Sequence, residues 1–324
     1  DISENSYRYT LKSYKYYFEN ISTIPNIVKF EVIDVIRKKR IGNLDQQFIG
    51  EFGERGNVFV LKGNQWRIVS VDENKLQVNV EQIYGSPINV PHWVGEMIPV
   101  DYETAVGVGR LRNKVLHDST FKFESDIKNI LKKIPIIPDS ENIVIENVAA
   151  NNAIVIHSAF GTKINNTLSS LFSTILASYV GHLVETKSDP YRILLSSSVR
   201  LSRANIEKIF HDEFDVEAIL IASLTNTYNL NWRVWMVSKK FGLVEKNAVY
   251  DKRISRFIYD RYSKTPVSKE SLRELMHDKF DVNATEDILR KIRNKEISIH
   301  WLDLTNFSPL AQTVIEHHPK ASSS

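Results

Sequence analysis

The chain has 324 residues, 42% of them hydrophobic, with 42 lysines and arginines against 39 aspartates and glutamates, for a formal net charge of +3. That length buries a sizeable core and divides into about two or three domains, while so small a charge excess means that any nucleic-acid footprint must come from local clustering of cations. The absence of cysteine excludes disulfides and thiolate metal sites and fits an intracellular, cytoplasmic protein.

Residues 1–27 carry Tyr7, Tyr9, Tyr14, Tyr16, Tyr17 and Phe18 among basic residues, then Ile24-Pro25-Asn26, which predicts a helical lead-in ending in a turn. Beginning at Asp1 without a start Met, the chain reads as a cut from a longer polypeptide. Over 28–101, alternating runs at 30–33, 58–61, 66–71 and 76–80, punctuated by Gly63-Asn64 and Asp72-Glu73-Asn74, predict hairpin-linked strands and a small antiparallel β-barrel. Helical spacing over 102–133 stops at Ile134-Pro135.

Strands at 143–145, 153–156 and 191–195 then flank a helix over about 162–183, whose Ile164, Leu168, Leu171, Phe172, Ile175 and Tyr179 recur at threes and fours. Residues 102–202 are therefore expected to form a mixed α/β layer. From 203 to 310 the spacing is mostly helical, with a strand-like stretch at 296–302, and suggests a winged-helix-like region before a frayed tail at 311–324. The fold class so predicted is α+β. Nowhere does an apolar run approach the roughly 20 residues that span a bilayer, and the N-terminus lacks a signal pattern, so no membrane partner is expected.

Ser202 to Ala218 aligns without gaps with Ser268 to Ala284, sharing Ser, His, Asp, Phe, Asp, Val and Ala. Each copy reads as a Ser-capped helix ended at His-Asp, a buried Phe, and an Asp that begins the next helix. Duplication and convergence explain this equally well, and two His-Asp pairs are too few ligands for a metal site.

The enzyme motifs are missing. There is no G-x-x-x-x-G-K-[ST] loop, no H-E-x-x-H, no G-x-S-x-G and no zinc-spaced Cys/His set. Gly107-Val108-Gly109 starts a dinucleotide fingerprint but runs into Arg110-Leu111-Arg112 without the third Gly. No catalytic residue and no metal ligand is assigned.

A set of blocks carries a resemblance instead. The stretch 56–63 (GNVFVLKG), 66–69 (WRIV) and 91–96 (PHWVGE) resembles the strand-rich start of the domain that follows the winged helix in Lhr-type superfamily 2 helicases. The stretches 155–168 (VIHSAFGTKINNTL), 188–195 (SDPYRILL) and 16–25 (YYFENISTIP) are similar to the helicase-associated region of the archaeal branch, in the same order. The resemblance covers roughly residues 14 to 310 and departs from the family by lacking the pair of RecA-like motor domains. It implies a parent ATP-dependent helicase moving 3′ to 5′ on one strand, with ATP and Mg bound by the motor domains and no cofactor in this chain. This piece would guide the tracking strand, single-stranded DNA or RNA, meet the duplex junction, and partner the motor domains of the same polypeptide.

The residues themselves offer several candidate contacts. Trp93, between Pro91 and Gly95, either stacks on a base or closes the barrel. Arg37, Lys38, Lys39 and Arg40 form a four-cation hairpin that either meets phosphates or is a solvated turn. At the helix start after His157, Gly161 and Thr162 offer free N–H groups, with Lys163, Asn165 and Asn166 in reach of an anion, although capping and tight packing explain the same residues. His157 is expected to be a structural hydrogen-bonding residue. Arg192 suits an ion pair with Asp189 or an acid elsewhere as readily as a nucleic-acid contact, with the structural role favoured.

On the helix at 248–261, Tyr250, Ile254, Phe257 and Ile258 are expected to be buried, with Lys252, Arg253 and Arg256 clustered on another face. Arg290, Lys291 and Arg293 occupy the second helix of a helical hairpin, where a DNA-reading helix carries its cations, or else a solvated face. Two other functions compete with the helicase module. One is a glycosylase-like activity, for which Asp189, Glu96 and Asp101 are the scattered carboxylates. The other is a purely structural brace for the motor domains.

Overall fold

The computed structural model describes residues 2–3, 6–19, 21, 28–53, 55–83, 98–118, 124–148, 152–225 and 227–316. In chain order the first elements are β1 (Ile2–Ser3), β2 (Ser6–Tyr7), α1 (Leu11–Glu19), β3 (Lys29–Asp34), β4 (Lys39–Asp45), α2 (Gln46–Phe52), β5 (Val58–Leu61), β6 (Asn64–Asp72) and β7 (Gln77–Ile83). There follow α3 (Tyr102–His117), α4 (Ser125–Leu131), β8 (Asn142–Val148), β9 (Ala153–His157), α5 (Thr162–Val180), β10 (Val184–Asp189) and β11 (Arg192–Ser197). The last are α6 (Arg203–His211), α7 (Val216–Leu224), α8 (Tyr228–Lys240), α9 (Lys252–Arg261), α10 (Pro266–Lys279), α11 (Val282–Arg293), β12 (Ser298–Asp303) and α12 (Pro309–Glu316).

These elements form two compact units, Asp1–Gly85 with Asn226–Glu274, and Ser86–Thr225 with Leu275–Ser324. The division differs from the one the sequence suggests: residues 203–310 split between the units instead of forming a single winged-helix-like region. Periodicity shows that a helix has an apolar stripe, but not which sheet covers it.

The first unit is built on a five-stranded sheet of order β4-β3-β7-β6-β5. The expected antiparallel barrel is corrected here, because β3 runs parallel to β7 and no pairing joins the edge strands β4 and β5 among the described residues. The sheet curls, so that a Cβ on Gly42 of β4 would lie 3.2 Å from the Leu61 side chain of β5. A two-residue turn at Lys62 and Gly63, both at positive φ, joins β5 to β6 in the manner that suits the right-handed strand twist. Alternation places Phe30, Val32, Leu44, Phe59, Trp66, Ile68, Val78 and Val80 in one core, with Phe48 and Ile49 of α2. Trp66 is buried in it as expected, its Nε1 donating to the Leu61 carbonyl at 3.1 Å. In the same unit α8 packs on α2 and α9.

The second unit has a mixed sheet of order β10-β11-β9-β8-β12, in which only the β8–β12 pair is parallel. Its inner strands β9 and β11 are apolar on both faces. Ile143, Ile145, Ile154, Ile156, Ile193 and Leu195 point to a helical layer in which α6, α7 and α11 pack with α5, while Ala153, Val155 and Leu194 point to α12 through Ala311, Val314 and Ile315. α5 begins at Thr162 as expected but ends at Val180, because Gly181 takes the left-handed conformation that closes a helix. Of the two similar stretches, only the first keeps its Ser cap. Ser202 Oγ accepts from Asn205 N at 3.1 Å, whereas Ser268 lies inside α10 and its hydroxyl donates back to the Thr265 carbonyl at 3.2 Å.

Candidate nucleic-acid interface

The β3–β4 hairpin is folded by Asp34, whose buried carboxylate accepts from the amides of Ile36 and Arg37 at 2.9 and 3.2 Å. That turn presents Arg37, Lys38, Lys39 and Arg40 to solvent. Two of the four are drawn to carboxylates: Arg37 lies 3.9 Å from Asp34, and Arg40 lies 3.3 Å from Glu31. Lys38, at φ +50, and Lys39 have no carboxylate partner among the described residues.

Helix α9 is anchored by a narrow stripe. Asp251 caps it by accepting from the Arg253 and Ile254 amides at 2.7 and 3.0 Å, and Ser255 and Ile258 face inward. Just before it, Tyr250 packs edge-on against Tyr228 and Trp235. The expected burial of Ile254 and Phe257 is overturned, since these side chains are 47% and 65% exposed. The stripe is rotated because the small Ser255 turns its hydroxyl back to the Asp251 carbonyl at 2.9 Å and fills the inward position that size alone would assign to a larger residue. The exposed residues of the helix therefore include Lys252, Arg253, Arg256 and Arg261, with Arg253 and Arg261 one turn to either side of Phe257, and Asp260 is the one acidic side chain within the helix. None of these four cations has an ion-pair partner among the described residues. The apolar half of this surface was missed by the sequence reading, and the Ser at 255 was the available signal.

In the second unit the expected anion site is closed. The Gly161 amide donates to the Pro190 carbonyl at 3.0 Å and the Thr162 amide to the Val100 carbonyl at 2.8 Å, so these helix-start donors are taken. Gly161 sits at φ +89 with no room for a Cβ, which would fall 2.7 Å from the Val100 oxygen. Lys163 Nζ donates to the His277 carbonyl at 2.7 Å, and Asn166 Nδ2 donates to the Lys279 carbonyl at 3.0 Å. Asn165 is fully buried, donating to the carbonyls of Ser158 and Asp189, both at 2.8 Å. These residues tie α5 to its surroundings, the packing alternative that the sequence left open.

The cations of α11 are likewise engaged. Arg290 and Lys291 both pair with Asp287, the latter at 2.9 Å, and the hydrogen bond from Lys291 holds the Asp287 carboxyl below its ordinary range. Arg293 reaches the Asp212 carbonyl at 3.4 Å. Trp93 and Glu96 lie outside the described residues.

The carboxylates that a base-removing site would need are also engaged. Asp189 pairs with Arg192 at 2.9 Å, the first of the alternatives that the sequence left open, and Asp101 caps α3 by accepting from the Thr104 amide at 2.7 Å. Buried Glu146 and His157 form a Ser-carboxylate-His array with half-buried Ser308, but the carboxylate is in the middle: Glu146 Oε1 meets His157 Nε2 at 2.8 Å and accepts from Ser308 Oγ at 2.5 Å. The imidazole does not touch the hydroxyl, so no Ser–His pair forms, and His157 is a buried hydrogen-bonding residue, as expected. No group of three or more metal-ligating side chains stands together among the described residues. Nor is any of their helices long and apolar enough to cross a membrane.

Residues 137–311, more than half of the chain, match the DEAD/H associated family, and the chain belongs to that family. Its similarity extends to the ATP-dependent helicase Lhr-Core of Methanocaldococcus jannaschii, 24% identical over 92% of this chain and 38% of that protein. The ATP-dependent helicase Lhr-Core protein 2 of Thermococcus barophilus is 26% identical over 87% of this chain and 36% of its own length. These matches bear out the resemblance to archaeal Lhr-type helicases, and the chain spans well under half the length of these relatives. The fold is similar to that of the Mycobacterium smegmatis helicase Lhr, solved bound to ssDNA and AMP-PNP, with a TM-score of 0.57, 18% identity, and coverage of 71% of this chain and 33% of that one.

Proposed function

We propose that this chain is the accessory nucleic-acid-binding region of an ATP-dependent Lhr-type helicase, guiding the tracking strand toward a duplex junction while motor domains outside the chain bind ATP and Mg and supply the pulling force. The observation that carries this reading is the exposure of Arg253 and Arg256 on α9 without carboxylate partners, in a chain where Arg290 and Lys291 of α11 share the Asp287 carboxylate. Unpaired surface cations attract a polyphosphate backbone, and a surface made only to brace another domain has less use for uncompensated charge. Lys38 and Lys39 at the β3–β4 turn offer a second phosphate contact in the same unit.

The test is a titration of the 324-residue chain with labelled oligo-dT at several salt concentrations. The wild type is expected to bind with affinity that falls as salt rises, and R253Q/R256Q is expected to lower the salt slope by about 1.4, since each cation on a single strand contributes about 0.7. The chain is expected to hydrolyse no ATP. Equal affinity and slope for the double variant would favour the structural brace.

A further inference from the structure

We infer that Phe257 is a base-stacking residue, which makes the α9 surface a reader of unpaired nucleotides and not of duplex. This rests on the function proposed above and adds to it a residue and a substrate form. A phenyl ring that is 65% exposed on a well-anchored helix is costly to leave in water, and nothing within the described residues covers it. Ile254 apart, its exposed neighbours on the helix are charged. Arg253 and Arg261 lie one turn before and after it on the same face, about 6 Å away along the axis, and Arg256 is the adjacent residue.

Charge complementarity selects the occupant. Arg253, Arg256 and Arg261 against the single carboxylate of Asp260 on α9 call for a polyanion, and the ring beside them calls for flat apolar groups attached to that polyanion at short intervals. Unpaired nucleotides have both features. In a duplex the bases are stacked on each other, so a side chain on an exposed helix meets phosphates and groove edges but no free base face. Ile254, 47% exposed and three residues before Phe257, extends the apolar floor beneath the same base.

The experiment titrates the whole chain with three ligands of equal length: oligo-dT, an oligomer of abasic sites with the same phosphates, and a duplex. Phe257→Ala is expected to weaken oligo-dT binding by about 5- to 150-fold, the range seen when a stacking aromatic is truncated, with the salt slope unchanged. Phe257→Trp is expected to retain or strengthen it. The abasic oligomer should bind wild type and Phe257→Ala equally, and more weakly than oligo-dT binds wild type. Oligo-dT binding that is the same in Phe257→Ala, or wild-type binding of the abasic oligomer as tight as that of oligo-dT, overturns the inference and leaves the ring to a protein surface. If that happens while R253Q/R256Q still lowers the salt slope, only the stacking role fails; if the wild type binds none of the three, the proposed function fails with it. Because the ring is exposed, circular dichroism of Phe257→Ala should match wild type.

Discussion

Glu146 of β8 and His157 of β9 meet at 2.8 Å as diagonal neighbours across an antiparallel pair, with both side chains almost wholly buried. The Glu146 carboxylate also accepts from the Ser308 amide at 2.8 Å, so the segment that leads into α12 is fixed to the sheet through one side chain. Burial pushes the Glu146 carboxyl up, but the bonds from His157 and Ser308 outweigh it and hold it below its ordinary range. Glu146→Ala is expected to destabilise the second unit by about 3 kcal/mol, because it leaves a buried imidazole unpaired and frees the Ser308 amide. Urea unfolding followed by fluorescence reads this directly.

The same group sets an acid dependence. Its folded pKa lies below the ordinary 4.5, so its contribution to stability is complete above about that pH and is lost as pH falls through the lower folded value. Glu146→Gln should flatten the loss of stability below pH 4.5 relative to wild type, as measured by unfolding midpoints across the acid range.

Tyr250 gives an alkaline counterpart in the first unit. Burial, reinforced by Asp251, pushes its phenol up to about 12, and its hydroxyl has no hydrogen-bond partner among the described residues. The neutral phenol is the form the fold prefers, so its contribution is present below the ordinary 10 and declines as pH rises toward 12. Tyr250→Phe should be neutral or stabilising by up to about 1 kcal/mol at neutral pH and should remove a phenol that ionises near pH 12 from an ultraviolet titration.

Gly161 is replaceable only at high cost. Its φ of +89 and the 2.7 Å approach to the Val100 oxygen mean that Gly161→Ala strains the backbone and opens the seam before α5. A loss of about 2–4 kcal/mol in denaturant unfolding is expected.

Lys163→Ala and R290Q/K291Q serve as controls on the interface. Because Lys163 is held by the His277 carbonyl, and Arg290 and Lys291 by Asp287, strand affinity should stay within about twofold of wild type, with Lys163→Ala lowering stability instead. A tenfold loss of affinity in either would return these residues to the binding surface.

Much of the local structure was legible in the residues. The alternation of Phe30 and Val32, the Thr162 start of α5 and the burial of Trp66 all depend on near neighbours, whose spacing the chain dictates. The relatedness to Lhr-type helicases was legible too, from blocks that keep their order over most of the chain. What only the tertiary structure decided was which groups remain available. Lys163 and Arg290 resemble Arg253 and Arg256 in sequence, yet the first pair is held by a distant carbonyl or a neighbouring acid and the second is not. Phe257 looked like core and is surface, because a helix buries whichever stripe its neighbour has room for, and the shape of that neighbour is made by residues far away in the chain.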